Sequence, residues 1–398
     1  MMPRIGPGTS IIGLTLVMQS ISVGILIYSF ALFVVPWIEE FGASRRDVML
    51  AVMCSQLATG GLSPFAGRAM DHFRLKYVVS LGAVILGLGL VLVSLSDGLW
   101  LVILLYATVL PLGMVLCGTL ASQTLITRSF PRKRGMAMGI SAMGTSMGGL
   151  LFPAVVQALI SDFGWRSTMR ILGAITVIVI VPLAWLVLGR DRPGTYSPSG
   201  IRANQVPRVG SLMRSRTFWI PVLAFIPLNA GFGAVQFNLG AYTQDLGYGP
   251  SSAAILISIT SAAMICGKFV FGTLGDRVDH RYLYWVAASL LAVALLVYQN
   301  LPSYERMVGG AILLGLATGA SMPLMGIIYA SRYSVEGFGR VMGLAQSIFM
   351  LGAVGPLFAG WMFDLTGSYD PAFMALIVIL LPVAAGMYWL PHQGRTRT

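Results

Sequence analysis

Twelve apolar runs follow one another through the 398-residue chain, at about 11–36, 47–66, 77–96, 99–127, 135–161, 167–189, 217–244, 251–271, 282–300, 307–331, 341–363 and 371–390. Each approaches or exceeds the ~20 residues a helix needs to cross a hydrocarbon core of about 30 Å. Hydrocarbon offers backbone groups no partner, so runs of this length become helices. None shows strand alternation. Charged residues make up only 10% of the chain, against about 25% in soluble domains. The expectation is an all-α integral membrane protein with twelve transmembrane helices. No polar region is long enough for a separate soluble domain. The first run is too long for the h-region of a signal peptide, so no cleaved leader is expected.

A net charge of +12 would suggest nucleic acid in a soluble protein. Here its distribution gives a simpler cause. With the N-terminus placed inside, the inner segments carry +15, the outer ones −4, and Lys268, within a run, supplies the remaining charge. Basic residues concentrate on the cytoplasmic side of membrane proteins, so both termini are expected there, in the plasma (inner) membrane. The three cysteines, Cys54, Cys117 and Cys266, all fall in apolar runs with no metal-ligand spacing.

The chain reads as two related halves. Gly67 precedes Asp71 by four residues, and Gly272 precedes Asp276 by the same four, with the copies 205 positions apart. RSFPRKRGMAMG from Arg128 and RYSVEGFGRVMG from Arg332 lie 204 apart. Asp162 and Gly164 find looser counterparts in Asp364 and Gly367. A constant offset is the mark of internal duplication. Residues 190–216 hold prolines, serines and six arginines without apolar periodicity, as a linker would. The expected organisation is therefore a six-helix half over 1–189, a cytoplasmic linker over 190–216 and a second six-helix half over 217–398. An even number of helices per half makes the repeats parallel, with a pseudo-twofold axis along the membrane normal.

These features resemble the major facilitator superfamily, which has twelve helices, a basic central loop and a G-x-x-x-D motif after helices two and eight. Within it the chain is most similar to the monocarboxylate porter and oxalate/formate antiporter group. The stretches Tyr28 to Val48, Ser129 to Gly149 and Gly355 to Phe373 carry that likeness. The resemblance implies a cavity lined by helices 1, 2, 4, 5, 7, 8, 10 and 11, and a protein that works as a monomer. It also implies a cation in helix eight that binds the substrate carboxylate, at the place of Lys268. Several positions depart from the pattern. His72 follows Asp71 where Arg is usual, and Arg74 replaces a Gly. Leu32 and Met264 stand where proton-coupled members carry Lys and Asp.

Lys268 is the only charged residue well inside a run. Eight residues before Asp276, it stands ~12 Å along the helix from that end. An intramembrane charge costs at least ~2.5–3.5 kcal/mol on insertion scales, so it marks a functional site unless it snorkels to the interface. Gln19, Tyr28, Gln56, Gln123, Asn229, Gln236, Asn238 and Gln346 are polar side chains at membrane depth. All of these but Gln56 join Lys268 as substrate-binding candidates, and the alternative for each is an interhelical hydrogen bond. The glycines of runs five and eleven suit close helix packing. Gly67, Asp71, Gly272, Asp276 and Arg277 are the candidate cytoplasmic gate, against a plainer role as loop charges that set topology.

The leading expectation is a transporter that moves a small organic anion, a monocarboxylate, by alternating access. Uniport, exchange and symport with a proton stay open, as does the choice of a counter-anion. The alternative is an exporter of amphipathic or neutral compounds, with 22 methionines and the aromatics lining a permissive cavity. An enzyme is not expected. Zinc-protease, nucleophile-elbow and nucleotide-loop motifs are missing. Asp276 and Asp370, which could suggest an intramembrane aspartyl protease, belong to opposite faces ~30 Å apart. No cofactor or metal is expected.

Overall fold

The computed structural model describes residues 7–130, 134–189, 209–275, 277–333 and 335–391. Among these there are no strands, and eleven helices are long and apolar enough to cross a membrane. They are α1 (Thr9–Phe41), α2 (Arg45–Met70), α3 (Leu75–Ser94), α4 (Leu99–Ser129), α5 (Ala137–Leu188), α6 (Arg216–Asp245), α7 (Pro250–Leu274), α8 (His280–Val297), α9 (Tyr304–Ala330), α10 (Val341–Thr366) and α11 (Asp370–Trp389).

Runs five and six lie together in α5, where the sequence suggests a loop. The interruption is a single residue: Gly164 sits at φ 73° and ψ 164°, outside helical space. Gly367, its looser counterpart in the sequence, also adopts φ 73° and ends α10 in the left-handed region. Without a Cβ, glycine enters this region freely, so one residue turns the chain where other types would be strained. α1 contains a π-turn, Gly24–Tyr28, and α10 a 3₁₀ turn, Met350–Ala353, so both helices deviate midway.

The described residues form two compact units. The first holds 7–189 together with Leu239–Ser258, and the second holds 209–238 and 259–391. Close glycine contacts build each one. In the first, a Cβ on Gly144 would lie 2.6 Å from the Leu16 carbonyl oxygen, and one on Gly148 would strike that of Ser20. Here α5 meets α1 backbone to backbone. Gly87 and Gly173 approach each other's carbonyls reciprocally, joining α3 to the second part of α5. In the second unit, Gly352 meets Asn229 and the Ile226 carbonyl, and Gly355 meets Ala230, so α10 seats on α6. Gly315 and Gly319 of α9 press on the Thr260 and Met264 carbonyls of α7. Gly148 and Gly352, 204 positions apart, thus make equivalent contacts in the two units. Small residues bring helices this close where no hydrophobic force drives association.

Large apolar side chains stay exposed along many helices, among them Trp100, Phe269, Ile178 and Leu186. Water would penalise this surface, and acyl chains do not. Two aromatic and polar knots lock the first unit. Trp37 packs edge-on against Phe30, Tyr106 and Trp165 and stacks on Phe33. Just beyond, Glu40 accepts from Trp165 and pairs with Arg166 at 2.6 Å, and Arg166 also donates to the Ser94 and Ser96 carbonyls at 2.7 and 2.8 Å.

Candidate functional site

Each polar candidate must find a partner or stand ready to supply one, because an amide buried without a hydrogen bond is costly. In the first unit Gln19 is fully satisfied at its amide nitrogen, which donates to the Ser141 carbonyl at 2.8 Å and the Ser141 hydroxyl at 2.7 Å. It ties α1 to α5. Tyr28 is buried at the end of the π-turn, and Gln123 on α4 is exposed.

In the second unit α6 carries three of the candidates. Asn229 donates to the Phe349 carbonyl at 3.2 Å, and Asn238 donates to the Ala234 and Pro356 carbonyls at 3.0 and 3.3 Å. The Tyr369 hydroxyl donates to Asn238 Oδ1 at 3.5 Å. Both asparagines therefore cross-link α6 to α10. Gln236, between them, is different. It is 0% exposed, and neither its amide nitrogen nor its amide oxygen has a hydrogen-bond partner among the described residues. Gln346 on α10 donates to the Met322 sulfur at 2.9 Å, a weak acceptor that a better one would displace.

Lys268 stands on α7, partly exposed, directly after a point where the helix packs closely. A Cβ on Gly267 would lie 2.7 Å from the Leu316 carbonyl oxygen, and one on Gly319 would lie 2.5 Å from that of Met264 and 3.0 Å from the Lys268 backbone nitrogen. The lysine's long side chain thus springs from a backbone held rigidly against α9. The sequence reading missed this support, although GLATGA around Gly315 and Gly319 has the small-residue spacing that signals it.

Asp276 lies outside the described residues, as does the Asp71 side chain, so the gate is seen only in part. Gly67 and Gly272 have nothing within 4 Å of where a Cβ would stand. Arg277 is exposed and closes a turn through its N–H to Leu274. Beside it, buried His280 faces the Gly275 carbonyl at 3.1 Å through Nε2 and Arg332 at 3.4 Å through Nδ1. A carbonyl can only accept and a guanidinium can only donate, so the ring carries its proton on Nε2. Burial draws the Arg332 guanidinium below its ordinary pKa, which Asp279 opposes and Arg281 reinforces.

Sequence spacing gave no hint of the Arg45–Asp245 pair, formed at 2.5 and 2.6 Å across 200 positions. No group of three or more metal-ligating side chains occurs among the described residues.

Comparison with known proteins places this arrangement. The model of the Major Facilitator Superfamily matches residues 13–298 and 230–398. Monocarboxylate transporter 13 of Bos taurus is 25% identical over 382 residues, covering 94% of this chain and 87% of that protein. Human monocarboxylate transporter 11 is 27% identical, with 84% and 73% covered. An MFS-type transporter of Gibberella moniliformis is 28% identical, with 82% and 73% covered. Among solved structures, a bacterial homologue of the human lysosomal transporter Spinster, inward-facing and unoccupied, superposes with a TM-score of 0.72 over 98% of both chains at 16% identity.

Proposed function

Because the chain belongs to the Major Facilitator Superfamily, a family of transporters and not of enzymes, we infer that it carries a small organic anion, a monocarboxylate, across the membrane by alternating access. The observation that carries this reading is Lys268. It is the one cation well inside an apolar run, on a helix that packing holds still. The likeness to monocarboxylate transporters supports the same substrate class.

In this reading the halves are 1–189 and 217–398, joined by the 190–216 linker. α5 counts as two spans divided at Gly164, which gives twelve. Both termini lie in the cytoplasm, in the plasma membrane. Lys268 supplies the counter-charge for one carboxylate. A lysine binds it as a point charge and not through a bidentate fork, so hydrogen bonds from neighbouring groups must orient it. Gln236 suits that part, because its amide is buried and has no hydrogen-bond partner among the described residues. Gln346 can exchange a sulfur for an oxygen acceptor. Tyr28, Gln123, Asn229, Asn238 and Gln19 line or brace the cavity. Gly67 and Asp71 on one side and Gly272, Asp276 and Arg277 on the other gate its cytoplasmic face. The carrier acts as a monomer, by uniport or with a proton or counter-anion as its coupling partner.

The test is uptake into proteoliposomes of labelled monocarboxylates beside their neutral primary amides, with and without a pH gradient. The reading expects saturable uptake of at least one acid and none of its amide. Transport of amides and other neutral amphipaths in place of acids would instead establish the exporter reading.

A further inference from the structure

The first turn of α3 collects positive charge where a helix favours negative. Arg74 stands at the N-cap with no side-chain hydrogen bond to the helix, and the turn that follows holds Lys76 and no acidic residue. Free N–H groups already make a helix start partly positive, so two cations there call for an anion. Lys76 is only 9% exposed. Its ammonium lies 4.9 Å from the centre of the Tyr77 ring and 4.6 Å from that of Trp185, and among the described residues it makes no hydrogen bond or ion pair. The two rings meet edge-on at 5.7 Å, and Trp185 Nε1 donates to Ser80 Oγ at 3.1 Å, which holds the end of α5 against α3. All of these residues lie in the first unit.

The second unit shows the same position supplied from within. Arg281, 205 positions after Lys76, is buried at the start of α8, and Tyr282 beside it meets Trp285 edge-on at 5.6 Å. There the guanidinium donates to the Leu390 carbonyl, just past α11. The duplicate cation thus has a protein oxygen. Lys76 has two ring faces, which attract a cation but leave its three donors without an oxygen.

We propose that the first turn of α3, with Lys76 at its centre, binds the phosphate of an anionic phospholipid. The inference goes beyond the transport reading and takes from it only that this end of α3 meets the cytoplasmic leaflet. Two observations favour a lipid over a free anion. Tyr77 and Trp185 are 49% and 47% exposed, as aromatic residues are where a span meets the headgroups. Below them Leu81 and Leu88 continue the exposed face of α3. From Tyr77 to Leu88 is about 16 Å along the helix, close to one leaflet of a core about 30 Å thick. An acyl chain can lie along that track while its headgroup reaches Lys76 and Arg74, and basic pockets beside spans take anionic headgroups in this way.

The experiment needs neither substrate nor orientation, so its failure and a wrong transport reading are distinguishable. Native mass spectrometry of the intact chain in detergent measures retention of phosphatidylglycerol beside phosphatidylcholine. Wild type is expected to hold phosphatidylglycerol in preference. Lys76→Gln is expected to weaken that binding roughly tenfold, the loss of one charge-assisted contact, and Lys76→Arg to keep it. Arg214→Gln, which removes an exposed cation in the second unit, is expected to leave it unchanged. Trp185→Leu takes away one wall of the box and is expected to weaken binding severalfold, which keeps the proposal testable should Lys76→Gln fail to fold. Equal retention of the two lipids by wild type, wild-type binding by Lys76→Gln or Trp185→Leu, or an equal loss in Arg214→Gln would overturn the proposal. So would displacement of the lipid by excess inorganic phosphate, which would assign the turn to a free anion.

Discussion

Gln19 and Gln236 are both buried glutamines, and they carry opposite expectations. Gln19 spends its amide nitrogen on Ser141, so Gln19→Leu strips an interhelical bond and leaves a buried hydroxyl and carbonyl in need. Such a loss costs about 1–3 kcal/mol. Melting of purified protein in detergent should show it, with uptake per folded molecule little changed. Gln236 has no bond to lose among the described residues. Gln236→Leu removes an unsatisfied amide, and the expected outcome is equal or higher stability together with a raised KM for uptake. A fall in melting temperature for Gln236→Leu, with uptake intact, would mark it as a bracing residue like Gln19.

At the scale of elements, glycines divide by what surrounds them. Gly319 presses on the stretch of α7 that carries Lys268, and Gly319→Ala drives a methyl into the Met264 carbonyl and the Lys268 backbone. Overpacking of this kind costs about 1–3 kcal/mol. Because it displaces the lysine, KM should rise with it. Gly164→Ala places a side chain at φ 73°, at a cost of roughly 1–2 kcal/mol, and thermal melting should register it. Gly67 and Gly272 have open space around them. Alanine in a helix interior is favoured over glycine by ~0.8–1.0 kcal/mol, so Gly67→Ala and Gly272→Ala should melt no lower than wild type. In the proposed gate, however, they should slow transport. Unchanged transport by both variants would remove them from the gate.

For the whole molecule, the repeated apolar runs and the 204–205-residue offset were legible in the sequence, because span length and duplication are properties of the chain itself. The structure returns that offset in the matching contacts of Gly148 and Gly352, 204 positions apart, and Gly164 and Gly367, 203 apart, share the same φ. The division between runs five and six was legible in place but not in form. A loop and a one-glycine turn share a sequence signal, and only backbone angles tell them apart. The site was legible as residue types. Lys268 declares itself by being charged where charge is costly. Which glutamine is satisfied, and that Arg45 meets Asp245, depends on packing between segments more than 100 residues apart, and no local pattern encodes it. The topology is testable at this scale. Reporter fusions at either terminus should be active only in the cytoplasm, and activity of either outside would reverse the assignment.

The central claim is that Lys268 holds the substrate carboxylate. Its most direct test is uptake of the best-transported acid by wild type, Lys268→Ala and Lys268→Arg, at matched amounts in proteoliposomes. The account predicts that alanine abolishes uptake while arginine, still a cation, retains part of it. Uptake by Lys268→Ala equal to that of wild type would contradict it, and would leave Lys268 as a side chain that reaches for the interface.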